Sequence, residues 1–226
     1  MKLSAILLFA TVAVLFADDI PLDPEKPPLL KPSSVYAFNI TPREGIDPVT
    51  IRLHIEAGEH YKTAEGTVYA PIEKLSVRQG DSEYDLEYDY VDVGVPNMDI
   101  ADFDGDGFLD FRIITAWGTC GSWYCYYRFQ EGKYQRWTEP EELGLNGIPE
   151  NGYIASYGRS GPESSAVFYQ YKDGRFRKRR VESILLKESL PELKDWKTEE
   201  FVVLSVTEEW DDNRLIRRIV EPQYEQ

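Results

Sequence analysis

Short runs that alternate apolar and polar residues recur along most of this chain. Val49-Thr-Ile-Arg-Leu-His-Ile55, Leu75-Ser-Val-Arg78 and Phe111-Arg-Ile-Ile114 each alternate, which is the period of a half-buried strand. In Tyr84–Val93 the residues Asp85, Glu87 and Asp89 fall at period two, opposite Tyr84, Leu86, Tyr88 and Tyr90. That pattern predicts a strand with a solvated acidic face. Tyr124–Phe129 is rich in β-formers and turns through Glu131-Gly132-Lys133 into Tyr134–Trp137. Ala166–Tyr171 runs into Asp173-Gly174, a hairpin signal. Phe201–Val206 and Leu215–Val220 flank a further turn at Asp211-Asp212-Asn213. Only Pro140-Glu-Glu-Leu143 and Leu190–Trp196 read as short helices. No βαβ alternation is visible, so the expected fold is all-β, with antiparallel sheets in a single domain over residues 35–226. Periodicity leaves a two-sheet sandwich and a small propeller-like array both open.

The two ends add a compartment. Residues 18–34 hold Pro21, Pro24, Pro27, Pro28 and Pro32, which predicts an extended tether. Residues 1–17 begin Met1-Lys2, continue as an almost unbroken apolar run from Leu3 to Phe16, and end at Ala17 before Asp18-Asp19. This is the layout of a signal peptide and implies export to the periplasm or beyond the cell. Removing residues 1–17 takes away Lys2 alone, so the formal charge of −15 becomes −16. Such an acidic balance argues against nucleic acid and against anionic membrane surfaces. It favours a cationic protein partner through long-range steering. The basic run Arg175–Arg180 is expected to pair within the molecule.

The sharpest chemical signal is Asp102-Phe-Asp104-Gly-Asp106-Gly107-Phe-Leu-Asp110. Carboxylates stand at positions 1, 3, 5 and 9 of one short loop, with glycine at position 6. Clustered carboxylates repel each other unless a cation sits among them, and Ca2+ takes six to eight oxygen ligands. The expected ligands are Asp102, Asp104, Asp106, the Phe108 carbonyl and Asp110, with Gly107 permitting the sharp turn. The loop is not an EF-hand, because Ile113 stands where a bidentate Glu is needed and the flanks read as strands. The motif occurs once, which argues against a repeating calcium array. Cys120 and Cys125 are separated by the four residues Gly-Ser-Trp-Tyr, a spacing that suits a disulfide at a hairpin tip in an oxidising compartment. His54 and His60 lie near no recognisable nucleophile, and no Gly-x-Ser-x-Gly element exists, so an enzyme is not expected.

Over about residues 97–185 the chain resembles the calcium-loop family of bacterial periplasmic lysozyme inhibitors. That family includes inhibitors of invertebrate-type lysozymes and immunity proteins against peptidoglycan-cutting toxins delivered by type IV secretion. Three features carry the resemblance in order: the Asp102–Asp110 loop running into an apolar strand, the aromatic hairpin Trp123–Tyr134 beside Gly121, and Ile154–Gly161 leading to Tyr169–Phe176. The resemblance implies a hairpin loop inserted into the catalytic cleft of a lysozyme-like hydrolase. The matching stretch is Gly121, Ser122, Trp123 and Tyr124. Cys120 stands where the family often carries Ser, so Ser122 could take the hydrogen-bonding role, or Cys125 could lock the loop for another target. The alternative function is a calcium-stabilised module that binds surface glycan or protein without inhibiting anything.

Overall fold

The structure is a computed structural model that describes residues 19–25, 30–31, 33–56, 61–62, 68–69, 72–88, 98–118, 121–186, 189–190 and 203–223. The signal segment, Cys120 and most of the helix expected at Leu190–Trp196 lie outside these residues. Apart from one short helix, the regular structure of the described residues is all strand, as the alternation predicts. A first sheet is built from β1 (Asp19–Pro21), β2 (Val35–Ile40), β3 (Val49–Ile55), β6 (Ile72–Gln79) and β7 (Ser82–Leu86), in the order β1-β2-β3-β6-β7. A small side pair, β4 (Tyr61–Lys62) with β5 (Val68–Tyr69), stands apart. The second sheet has the order β11-β10-β9-β8, from β8 (Met98–Ala101), β9 (Asp110–Gly118), β10 (Gly121–Gln130) and β11 (Lys133–Arg136). After helix α1 (Thr138–Glu142) the third sheet is a meander of β12 (Ile154–Ser160), β13 (Glu163–Lys172), β14 (Arg175–Leu186), β15 (Val203–Asp211) and β16 (Arg214–Gln223).

Nearly all pairings are antiparallel. The exception is β1, which lies parallel to β2 with Asp19 opposite Val35. This changes the picture of residues 18–34. Asp19–Pro21 joins the sheet, Pro24 and Glu25 form a turn, and Leu22 and Leu30 are buried in the core, while Pro27, Pro28 and Pro32 lie outside the described residues. The Leu22 N–H also donates to the Ala37 carbonyl at 2.8 Å. A tether with two leucines gains more by burying them than by staying solvated.

The first and second sheets close face to face as a sandwich. Ile51, Leu53, Leu75 and Val77 from one pack against Phe111, Ile113, Tyr127 and Phe129 from the other. Phe111 stacks on Tyr127 with ring centroids 4.7 Å apart. The second sheet is buried on its other face too, where Tyr126 joins Phe103, Trp137, Leu145, Ile154 and Phe176. Strand β10 therefore sends Cys125, Tyr127 and Phe129 to one core and Tyr126 to the other. That double burial is why its sequence reads as a continuous run of β-formers instead of an alternation. The turns follow their residues: Glu131-Gly132 and Asp173-Gly174 both adopt positive φ at both positions, as two-residue hairpin turns require. The basic run is paired as expected, Arg175 with Asp212, Arg177 with Asp173 and Arg179 with Asp211.

Candidate metal loop and hairpin tip

The loop between β8 and β9 draws Asp102, Asp104 and Asp106 together. One carboxylate oxygen from each lies within 4.8 Å of the others. Two oxygens on a common Ca2+, each about 2.4 Å from it, are at most about 4.8 Å apart, so the donor set fits a hard cation. Gly105 and Gly107 turn the chain with φ of +77° and +87°, a conformation that costs glycine nothing. Asp102 gathers the turn around itself. Its Oδ1 accepts from the N–H groups of Gly105 and Asp106, and its Oδ2 accepts from Gly107 at 3.0 Å. The Phe108 N–H donates to Asp106 at 2.8 Å, while the Phe108 ring lies against Phe129 and under the Arg43 guanidinium.

Asp110 has a different place from the other three. It is the first residue of β9 and is buried, and it is not one of the converging group. Its Oδ2 accepts from the Phe103 N–H at 3.2 Å and its Oδ1 from the Phe129 N–H at 2.9 Å. Asp110 thus pins the acidic loop to the far end of β10. Burial pushes its carboxyl up to about 8, against the pull of the Phe129 N–H. Burial also pushes Asp104 up to about 6, with Asp106 and Asp102 adding repulsion against the opposing N–H of Asp106 and the nearby Arg128. Both shifts come first from burial and only then from neighbouring carboxylates; a cation among the side chains would favour their charged forms.

At the other end of the same hairpin is the loop singled out for partner contact. Gly121 faces Gly118 across the tip, and Ser122 faces Trp117. Register passes from Trp123 opposite Ala116 to Tyr124 opposite Ile114, leaving Thr115 as the extra residue of a bulge. The two aromatic residues then part company. Trp123 is 49 % exposed; a Cβ at Gly118 would lie 3.0 Å from its indole, so the ring lies over that glycine. Tyr124 turns inward and covers the buried Arg112, whose guanidinium carbon is 3.9 Å from the ring centroid. Trp123 is therefore the outward-facing member of the expected set.

No disulfide is found among the described residues, and Cys120 of the expected Cys120–Cys125 bridge lies outside them. Cys125 is a thiol buried in the sandwich core. It lies four strand residues beyond Gly121, about 13 Å along the chain. The close spacing in sequence suits a tip, but the continuous strand carries Cys125 away from it.

Two features were invisible to alternation. Arg112 reads as an outward-facing strand residue, yet it is buried. Its Nε donates to Asp99 at 2.7 Å, and its other nitrogens to the Tyr126 hydroxyl and to the carbonyls of Gly147 and Asn146. Burial works against its charge, but Tyr126 and Asp99 outweigh that and hold the guanidinium charged. On the outer face of the first sheet, Arg52 bridges Asp19 and Glu83, and Glu83 accepts from the Ser76 hydroxyl at 2.8 Å. The His54 Nε2 lies 3.0 Å from the same hydroxyl. Because that hydroxyl proton goes to Glu83, His54 must donate to Ser76. The direction is the reverse of a hydrolase triad, and Ser76 is fully buried.

No family model and no curated protein matches the chain. Among solved structures it is similar to one described as a Xanthomonas type IV secretion system related protein. The TM-score is 0.55 at 12 % identity, over 86 % of this chain and 97 % of that one. The likeness is one of fold. It extends over nearly the whole of the neighbour's chain.

Proposed function

We propose that this chain is an exported, calcium-braced protein that binds a lysozyme-like peptidoglycan hydrolase and occludes its cleft, in the setting of type IV secretion. The observation that carries the reading is the hairpin β9–β10. One end holds the converging aspartates, and the other presents an exposed indole on a glycine-lined tip. Asp102, Asp104 and Asp106 would hold Ca2+, with Asp110 fixing the loop to β10. The ion would stiffen the base from which the tip projects. Lysozymes carry two carboxylates in a groove, and a rigid aromatic anchor gains contact area there at little entropic cost. The formal charge of −15 suits a cationic enzyme. The structural neighbour's description as a type IV secretion system related protein is what suggests the setting.

In this reading the protein works by binding and has no reaction of its own. The test is lysis of peptidoglycan by hen-egg-type, goose-type and invertebrate-type lysozymes with the mature chain added. At least one should lose activity near equimolar inhibitor, and Trp123→Ala should weaken the effect about ten-fold or more, as loss of a central aromatic anchor does. Retention on peptidoglycan with every lysozyme unaffected would instead favour a glycan-binding module, since Trp123 also suits sugar stacking.

A further inference from the structure

The tip of β9–β10 does not stand alone. Asn146 and Gly147 follow α1 in the chain and donate their N–H groups to the Ala155 carbonyl at 3.0 and 2.8 Å. The Asn146 side chain then acts as a short extra strand beside β12. Its Oδ1 accepts from the Tyr157 N–H at 2.7 Å, and its Nδ2 donates to the Tyr157 carbonyl at 2.9 Å. Gly121 sits against this junction, for a Cβ there would meet Asn146 Nδ2 at 3.0 Å and the Tyr157 carbonyl at 3.2 Å. The Tyr157 ring in turn lies over Gly147, where a Cβ would be 3.0 Å from it. From beneath, the Leu145, Asn146 and Gly147 carbonyls are held by the Tyr126 hydroxyl and Arg112. Three separate stretches of chain are thus locked into one end of the molecule.

Large apolar side chains at that end are left in solvent. Tyr157 is 53 % exposed and Ile148 52 %, alongside Trp123 at 49 %. Burying them costs no charge, and a rigid support lowers the entropic cost of binding.

We propose that the partner surface is a composite of Trp123, Tyr157 and Ile148, with Asn146 as the positioning residue that fixes Tyr157 against Gly121. The occupant is the same lysozyme-like hydrolase, because this surface is continuous with the tip; the inference rests on that reading. Tyr157 and Ile148 supply contact area beside the inserted tip, and Asn146 acts only through Tyr157.

The experiment measures inhibition constants of the full mature chain against whichever lysozyme it inhibits. Tyr157→Ala and Ile148→Ser should each raise the constant about ten-fold, with the melting temperature unchanged because both side chains are exposed. Asn146→Ala should do the same and should release the Tyr157 amide to fast hydrogen exchange. In a Tyr157→Ala background, Asn146→Ala should cost nothing further. If wild type inhibits and Trp123→Ala weakens it while Tyr157→Ala and Ile148→Ser do not, the composite surface is wrong and the inhibitor reading stands. If Asn146→Ala weakens inhibition equally with and without the Tyr157 ring, its assigned role is wrong. If wild type inhibits no lysozyme, the underlying reading fails and takes this surface with it.

Discussion

A guanidinium buried between two packed layers needs an acceptor for each of its nitrogens, because none will come from water. Arg112 finds them in Asp99, the Tyr126 hydroxyl and two main-chain carbonyls, with the Tyr124 ring as a lid. Removing one side of such an arrangement leaves buried polar groups unpaired, which costs several times the value of an ordinary hydrogen bond. Arg112→Met keeps volume and removes the donors. It should lower the unfolding free energy by about 3 kcal/mol in urea titrations, and it should loosen residues 145–147 in hydrogen exchange. A second residue-scale prediction concerns His54. Its pKa is lowered from 6.5, by burial first and then by Arg52 and Lys74. The unfolded chain therefore takes up the proton before the folded chain does as pH falls. The stability His54 contributes is full above about pH 6.5 and drains as pH drops toward the folded value. His54→Gln can still donate to Ser76 but does not titrate. It should flatten the fall of melting temperature between pH 7.5 and 5.5, and an unchanged slope would count against this account.

At the scale of elements, the hairpin β9–β10 joins two sites that differ in chemistry. Asp110, at the first residue of β9, receives the Phe129 N–H from the far end of β10, so the acidic loop is tied to the strand pair. Calcium should raise the melting temperature of the mature chain at pH 7.5, with measurable binding heat. Asp104→Asn and Asp102→Ala should each reduce both effects. The gain should be smaller at pH 5, because Asp104, raised to about 6, then holds a proton that the metal must displace. Mg2+ should be a poor substitute, since it demands six ligands in a tight octahedron. Calorimetry that shows no heat, together with an unmoved melting temperature at both pH values, would remove the metal from this account.

Across the whole molecule, what alternation could reveal depended on where solvent lies. Strand β3 buries Val49, Ile51, Leu53 and Ile55 and leaves the residues between them partly exposed, so its period of two was plain. Phe111-Arg-Ile-Ile has the same pattern, but its second face is covered by the Tyr126–Trp137 cluster, so alternation alone does not reveal that Arg112 is buried. Proline hid β1, whose parallel pairing with β2 depends on chain 16 residues further on. The expected strand Tyr84–Val93 is realised as β7, ending at Leu86, and residues 89–97 lie outside the described structure. The acidic loop was legible because its chemistry is local, whereas the tip's supports were not. Asn146 reaches Tyr157 across 11 residues and Arg112 reaches Gly147 across 35, and neither link leaves a periodic trace. The layout that emerges has one sandwich, a central hairpin buried on both faces, and a third sheet that, with α1, covers its outer side. That hairpin is the element through which a cation at one end could brace a contact surface at the other. The most direct test places a photo-cross-linking amino acid at position 123 of the mature chain and maps its adducts on a lysozyme by mass spectrometry, with calcium present. Adducts are expected on peptides lining the enzyme's substrate groove; adducts confined to other surfaces, or none with any lysozyme type, would contradict insertion of the tip.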